Sequence, residues 1–230
     1  SKAPGRLWPV GTGTHYAIGA DGAFVFGDDD KNYLDMLCAL GAVSLGYRDN
    51  RPSLEWRWLP LCSLPHVKEV VAAEAILQHV APWASSVRFV KTGSEACHAA
   101  YRIAKRATGR QHVLMGNWAY HGWHEWCEKR PDGKPESQAT LLYPHGTQLL
   151  ATSYEQQDVA AVFVEPHRWE PVDVEWLQWL RDWCTNHGAL LVFDEMIYGG
   201  RWALGGATEY YGVTPDLACF GKAIGNGAPI

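Results

Sequence analysis

Two nearly continuous apolar runs dominate the second half of the chain. Residues 160–164 and 189–193 are almost entirely apolar, which is typical of strands that are covered on both faces. Between them, after Asp173, apolar side chains recur at helical spacing, and Gly188 is placed to end that helix. Strands that alternate with helices predict an α/β fold with a mostly parallel sheet.

Weaker patterns extend this interpretation toward the N-terminus. Further strands are predicted at residues 87–90, 112–115, 139–143 and 217–220. A helix is predicted from Ser94, as its N-cap, to about Ala107, with Gly109 as its stop.

Residues 67–79 also have helical spacing, with Val70, Val71 and Ile76 available for a buried face. The first forty residues indicate extended strands with hairpin turns at residues 20–23 and 28–30.

Composition excludes several classes of function. The chain has 230 residues, a net charge of −5 and 47% apolar residues, which is ordinary globular composition. No apolar run is long enough to span a membrane, and no basic footprint indicates a nucleic-acid partner. The first five residues lack the apolar region of a signal peptide. The six cysteines form no C-x-x-C pair, and a reducing, cytoplasmic setting is expected.

Chemically useful residues follow the predicted strands. Ligands of parallel sheets gather at the carboxyl ends of the strands, where Gly93-Ser94, Glu165, Asp194 and Lys222 are found. A Gly-Ser turn that opens a helix can cradle a phosphate, although Ser94 could also be a plain N-cap. Asp194 could pair with a cationic ring nitrogen, or else form a salt bridge or a helix cap. Lys222 could be an amine nucleophile or a surface lysine.

The segment after residue 116 offers an aromatic side chain and two histidines. Tyr120 could stack on a planar ligand, or simply pack. His121 and His124 could suggest metal ligands, but the order H-x-x-H-E matches no zincin pattern and no third ligand is evident. We therefore expect no metal.

Five motifs in this order resemble the class III pyridoxal-phosphate (PLP) aminotransferases, and within them the glutamate-1-semialdehyde 2,1-aminomutase branch. They are residues 92–96 (Thr-Gly-Ser-Glu-Ala), residues 120–122 (Tyr-His-Gly), Glu165-Pro166, residues 193–196 (Phe-Asp-Glu-Met) and Gly221-Lys222. The resemblance covers essentially the whole chain and implies the large domain of a fold-type I PLP-dependent transferase. It also implies an N-terminal segment over residues 1–50 and a PLP-binding domain over residues 51–230.

The resemblance assigns a role to each site residue. Lys222 would form the Schiff base and shuttle a proton, and Asp194 would pair with the protonated pyridine nitrogen. The other cofactor contacts would be Gly93 and Ser94 at the phosphate, Tyr120 stacked on the ring, His121 beside it, Glu165 near the ring hydroxyl and Met196 on the opposite face. Substrates would be small-molecule amines and carbonyl compounds.

The chain also departs from the family pattern. Residues 167–170 replace a small, glycine-containing segment, and the family continues well beyond Ile230 with a C-terminal small domain. We therefore expect a homodimer, or an assembly with a chain that supplies the C-terminal half. An aminomutase, a non-catalytic remnant and, more distantly, a metal hydrolase remain as alternatives.

The sequence does not decide which arginine binds a substrate carboxylate or what several tryptophans do. No arginine is assigned to a substrate carboxylate, although Arg6, Arg168 and Arg201 are candidates. The tryptophans of residues 176–183 share a helical face that is expected to pack on the sheet, while Trp118, Trp123 and Trp126 could pack or line the substrate pocket.

Overall fold

The computed structural model describes residues 16–47, 67–130, 132–143, 158–167 and 171–227. Its strands are β1 (Ala17–Asp21), β2 (Phe24–Gly27), β3 (Asn32–Leu34), β4 (His112–Gly116), β5 (Thr140–Tyr143), β6 (Val159–Val164), β7 (Leu190–Asp194) and β8 (Leu217–Cys219). Its helices are α2 (Val67–Ala75), α3 (Gly93–Thr108), α4 (Val174–His187) and α5 (Gly206–Tyr211). They are preceded by a short turn, α1 (Cys38–Gly41), in which Ala39 and Leu40 have left-handed backbone angles. A π-helical turn (Ile76–Val80) continues α2, and a 3-10 turn (Lys222–Ile224) follows β8.

Five parallel strands form the central sheet in the order β5-β4-β6-β7-β8. The predicted α/β fold with a mostly parallel sheet is thus confirmed. The chain places β5 on one side of β4 and β6 on the other, so the strand order reverses between β4 and β6. Ligands of open parallel sheets bind beside such a reversal, at the carboxyl ends of the strands.

Alternate side chains of the central strands belong to two separate apolar clusters, one on each face of the sheet. On one face, α4 and α5 pack against Leu114, Val162, Leu191 and Phe193. On the other face, α3 packs against Val113, Met115, Phe163 and Val192. This alternation follows from the period of two in a strand and explains why β6 and β7 read as continuous apolar runs.

The ends of the two long helices are set by local sequence. The Asp173 side chain accepts from the Glu175 N–H at 2.9 Å, and left-handed Gly188 ends α4, as predicted. Left-handed Gly109 ends α3, also as predicted. The predicted N-cap of α3 is wrong, because the cap is Thr92, whose Oγ1 accepts from the Glu95 N–H at 3.2 Å. Ser94 therefore lies inside the first turn.

Of two other predictions before α3, the strand is wrong, whereas the helix is confirmed but lacks a buried face. Residues 87–90 form no strand; they line a groove of about 550 Å³ beside β8, which is an edge strand of the sheet as far as the described residues show. The α2 helix forms, but none of its residues is buried, and Val70 is 52% exposed. Both segments have strand or helix propensity, yet among the described residues neither gains the packing partner that the pattern anticipates.

The N-terminal region is an antiparallel meander of β1, β2 and β3, with the predicted turns at residues 20–23 and 28–30. It meets the main sheet region through the Leu45 N–H, which donates to Asn226 Oδ1 at 2.8 Å. The proposed domain boundary near residue 50 lies outside the described residues. None of the helices in the described part of the chain combines the length and apolar character needed to cross a bilayer.

Candidate functional site

Asp194 is the centre of a buried hydrogen-bond cluster at the carboxyl edge of the sheet. The residue ends β7 and is 4% exposed. His121 Nδ1 lies 2.7 Å from its Oδ2, and the Cys97 thiol donates to the same oxygen at 3.4 Å. The Met196 N–H donates to Oδ1 at 3.0 Å. The carboxylate is therefore held in one orientation by donors from three segments of the chain.

The contact with Asp194 also fixes the histidine. An ionised carboxylate only accepts hydrogen bonds, so when Asp194 is ionised the proton of this contact is on His121 Nδ1. The ring is 1% exposed and packs near Trp126 and Phe163. Among the described residues, its Nε2 has no hydrogen-bond partner.

The start of α3 forms a potential anion site. Gly93 and Ser94 occupy the first turn, where backbone N–H groups have no acceptor within the helix and the helix dipole is positive. Gly122 comes so close to this turn that a Cβ on it would lie 2.8 Å from Ser94 Cα. The loop after β4 and the first turn of α3 therefore form one packed unit.

Met196 joins that unit to the segment that carries Lys222. A Cβ added to Gly93 or to Gly221 would lie 2.6 Å from the Met196 sulfur in either case. The thioether thus sits between the predicted phosphate turn and the residue that precedes Lys222. A larger residue at either position would require the Met196 side chain to move.

Lys222 follows β8 in a strained conformation. β7 and β8 are parallel, with Asp194 opposite Cys219, so Lys222 emerges at the same edge of the sheet as Asp194. Its φ of 46° lies in the left-handed region, which costs a non-glycine residue roughly 1 kcal/mol or more. Strain of this kind is often found at functional sites.

Tyr120 and Glu165 meet across the point where the strand order reverses. Tyr120 follows β4 and Glu165 follows β6, and the Tyr120 N–H donates to Glu165 Oε1 at 3.4 Å. The Tyr120 side chain is partly exposed, and burial of the remainder raises its pKa. The structure therefore brings Tyr120, Glu165 and the Asp194 cluster to one edge of the sheet.

Two site residues escaped the analysis of the sequence. Cys97 follows the Gly-Ser-Glu-Ala motif but is 97 positions from Asp194, so no local pattern predicts their contact. The hydrogen bond with Cys219 is the main cause, and burial the second, that raises the pKa of the Cys97 thiol well above its ordinary value. The thiol is therefore protonated and can donate. Lys129 donates to three carbonyl groups of the loop after β4.

The two histidines considered as metal ligands make different contacts. His124 stacks on His98 and on Trp123, whereas His121 Nδ1 is hydrogen-bonded to Asp194. Potential ligand atoms of Cys97, His121 and Asp194 do lie within 4.8 Å of one another, and their hydrogen bonds to Asp194 account for that spacing.

The tryptophan and arginine candidates from the sequence also differ in their surroundings. Trp126 is buried against Tyr101 and Phe163, so it packs and does not line a pocket. Trp118 and Trp123 are both 67% exposed and remain candidates. The Arg201 guanidinium donates to the Gly41 and Ile197 carbonyls, while Arg6 and Arg168 lie outside the described residues.

Comparison with known protein sequences gives one consistent result. The sequence profile of the family described as "Aminotransferase class-III" matches residues 13–127 and 133–230. Two relatives are named glutamate-1-semialdehyde 2,1-aminomutase, from Hyperthermus butylicus and Methanothrix thermoacetophila. Each is 35% identical over 94% of this chain, which spans 56% and 55% of their respective lengths.

Solved structures agree with the fold. The PLP internal aldimine form of the FumI protein of Sphingopyxis sp. MTA144 matches 93% of this chain and 55% of its own, with 31% identity and a TM-score of 0.85. An omega-transaminase from Sphaerobacter thermophilus matches 99% of this chain and 58% of its own, with 26% identity and a TM-score of 0.86. The chain thus spans somewhat more than half the length of these relatives.

Proposed function

Because the chain belongs to the class III aminotransferases, we propose that it is part of a PLP enzyme that moves an amino group from an amine donor to a carbonyl acceptor. The observation that carries this proposal is the buried Asp194 carboxylate, which His121 and Cys97 orient at the edge of the sheet where Lys222 emerges. Small-molecule amines and carbonyl compounds are the substrates that such chemistry requires.

The site residues fit PLP in their chemistry. Gly93 and Ser94 offer N–H groups and a hydroxyl to a phosphate at the start of α3. Around the ring, the proposed contacts are stacking by Tyr120, the adjacent His121, Glu165 toward the ring hydroxyl and packing by Met196. When bound, PLP supplies an electron sink that stabilises negative charge on the substrate carbon next to the amino group.

Asp194 is suited to hold a protonated ring nitrogen. An ionised carboxylate that is only 4% exposed is costly unless a cation or several donors satisfy it. His121 Nδ1 and the Cys97 thiol are both hydrogen-bonded to Oδ2, and they hold the carboxylate in place at the edge of the sheet. A cationic pyridinium N–H would complete the set and keep the ring in its electron-withdrawing form.

Lys222 supplies the reactive amine. Its Nζ would hold the cofactor through the aldehyde carbon, with the aldehyde oxygen lost as water, and in its free form would accept and return the proton of the substrate carbon. The left-handed backbone at this position directs the chain into the 3-10 turn, with Gly221 packed against Met196. The lysine is therefore anchored by its own backbone beside the predicted phosphate turn.

An aminomutase is the second candidate, favoured by the names of the relatives from Hyperthermus and Methanothrix. The same residues would serve it, because moving an amino group between adjacent carbons needs the same lysine and carboxylate. The two activities differ in their stoichiometry. An aminotransferase consumes an external amine donor, whereas an aminomutase needs none in net terms.

The assembly is part of the proposal. We infer that the active enzyme is a homodimer, or an assembly that includes polypeptide equivalent to the part of the relatives beyond the match. Two observations support this: the chain spans 55–58% of these relatives, and an apolar groove runs along the edge strand β8. An open edge beside an apolar groove is a place where further polypeptide can pair.

The cysteines support a reducing location. Within the described residues, none of the five cysteines Cys38, Cys97, Cys127, Cys184 and Cys219 forms a disulfide, which is typical of a reducing compartment. We therefore propose the cytoplasm as the location.

The deciding experiment is the visible absorption spectrum of the purified protein with PLP, before and after borohydride, in the wild type and in Lys222→Ala. We expect an absorption band that borohydride fixes covalently to the wild-type chain and that Lys222→Ala lacks. Lys134→Ala, at an exposed position, is the matched control and should retain the band. Amine donors offered with and without a carbonyl acceptor would then distinguish a transaminase from a mutase.

A negative result is equally informative. If no band forms even with every natural partner chain present, the enzyme proposal is wrong and the chain is a non-catalytic remnant. If a band forms but survives in Lys222→Ala, the cofactor is bound through another amine and the assignment of Lys222 fails.

A further inference from the structure

Lys129 makes an unusual set of contacts for a lysine. Its Nζ donates to the carbonyl oxygens of Gly116 at 3.5 Å and Ala119 at 3.1 Å, and also to that of Asn117. These residues span the carboxyl end of β4 and the turn that follows. The ammonium group thus occupies the centre of a turn that begins the loop to Tyr120 and His121.

One peptide unit in this loop is held from both sides. The C=O of Ala119 accepts from Lys129 Nζ at 3.1 Å, while the N–H of Tyr120 donates to Glu165 Oε1 at 3.4 Å. These two groups belong to the same peptide bond. A cation on the oxygen side and an anion on the nitrogen side both match the peptide dipole, so each reinforces the hydrogen bond of the other.

We propose that Lys129 is a positioning residue for the cofactor site, acting with Glu165 as a clamp on the Ala119–Tyr120 peptide. Fixing this peptide plane sets the direction in which the Tyr120 side chain leaves the backbone and limits the position of His121 next to it. The inference rests on the proposed function for its consequence, PLP binding, but the clamp itself belongs to the free protein.

A lysine suits this task better than a neutral side chain. Its three N–H donors match three carbonyl acceptors, and hydrogen bonds from a charged group are stronger than those between neutral groups. Without the ammonium, three carbonyl groups lose a donor together. The turn after β4, which leads to Tyr120, would then be less firmly held.

The first test uses the protein without cofactor. Hydrogen exchange of the Tyr120 amide, followed at residue resolution in its native assembly, should be at least tenfold faster in Lys129→Met than in the wild type. Lys134→Met, at an exposed position of the same hairpin, is the matched control and should exchange at the wild-type rate. Unchanged exchange at Tyr120 in Lys129→Met would overturn the clamp.

The second test measures the cofactor. In Lys129→Met we expect a PLP dissociation constant about tenfold higher and a weaker induced circular dichroism of the visible band, with covalent trapping at Lys222 preserved. Lys129→Arg, which keeps charged donors, should recover much of both values. Lower thermal stability with wild-type affinity and dichroism would show a merely structural lysine and contradict the proposal.

The two measurements separate the possible failures. If the wild type binds no PLP, the proposed function fails, while amide exchange still decides the clamp. If Lys129→Met does not fold, Lys129→Gln, which keeps part of the donor capacity, replaces it in both measurements with the same expected direction.

Discussion

The two faces of the parallel sheet are covered in different ways. On one face, α4 contributes large side chains to the core: Trp176, Leu177, Leu180 and Trp183. On the other face, α3 contributes only Cys97, Ala100 and Ala104 to the buried set. Small residues let α3 lie close to the sheet, which brings its N-terminal turn to the level of Asp194. The α4 face is thus organised for stability, and the α3 face for the position of the site.

Two adjacent carboxylates show the same contrast at close range. Successive residues of a strand point to opposite faces, and Asp194 turns to the α3 side while Glu195 turns to the α5 side. Asp194 meets His121 and Cys97. Glu195 is fully buried and accepts from the Ala207 N–H at 2.7 Å. One carboxylate belongs to the proposed cofactor site, and the other supports a helix.

The largest expected effect tests this contrast in the apolar core. Leu180→Ala removes a fully buried side chain from the α4 face and should lower the free energy of unfolding by about 2–5 kcal/mol. Ile103→Ala on α3 removes a side chain that is 48% exposed and lines the groove, and it should cost less than about 1 kcal/mol. Urea unfolding of the two variants measures the difference.

The same two variants also test whether other polypeptide fills the groove that Ile103 lines. If Ile103→Ala costs as much as Leu180→Ala in the native assembly but little in the separated chain, other polypeptide fills the groove. Equal, large costs in the separated chain would instead contradict the difference between the two faces.

The sequence predicted the α4 side better than the α3 side. The strands at residues 160–164 and 189–193 and the helix between them were predictable because they are buried by elements adjacent in the chain. Residues 87–90 are shorter and contain Arg88, and they form no strand, because they face a groove beside β8 in place of a paired partner. Periodicity reports that a segment can be buried, and it does not supply the partner.

The candidate site was predictable where it follows strand ends. The strand-end rule and the motifs brought Tyr120, Glu165, Asp194 and Lys222 to one edge of the sheet, although their roles toward a cofactor remain predictions. Lys129 was missed because its contacts arise only when the loop turns back on the end of β4. The N-cap was misplaced because Thr92 and Ser94 are both good capping residues, and only the backbone distinguishes them.

The second prediction concerns Glu195 and the pH dependence of stability. Burial raises the pKa of Glu195 to about 7 from its ordinary value of 4.5. The neutral form of Glu195 is thus favoured in the folded state. The stability that this preference contributes is complete below about pH 4.5 and is lost as the pH rises to about 7. The expected loss is on the order of 3 kcal/mol.

Glu195→Gln isolates this effect. The amide is neutral at every pH, so the variant should lack the Glu195 part of the stability decrease between pH 5 and pH 8 in urea unfolding. Glu175→Gln, at an exposed position in the first turn of α4, is the matched control and should keep the wild-type pH profile. A wild-type slope in Glu195→Gln would show that other groups cause the decrease.

The smallest expected effect compares the caps of the two helices. Thr92→Ala and Asp173→Ala each remove a side-chain acceptor from a helix N-terminus and should each cost about 1 kcal/mol of stability. Only α3 begins at the proposed phosphate site, so Thr92→Ala should also weaken PLP binding, by about threefold to tenfold in titrations of the cofactor. Asp173→Ala should leave PLP affinity unchanged, because its helix begins on the stabilising face. Equal weakening by both variants would mean that PLP affinity follows global stability. The assignment of the site to the α3 face and of stability to the α4 face would then be wrong.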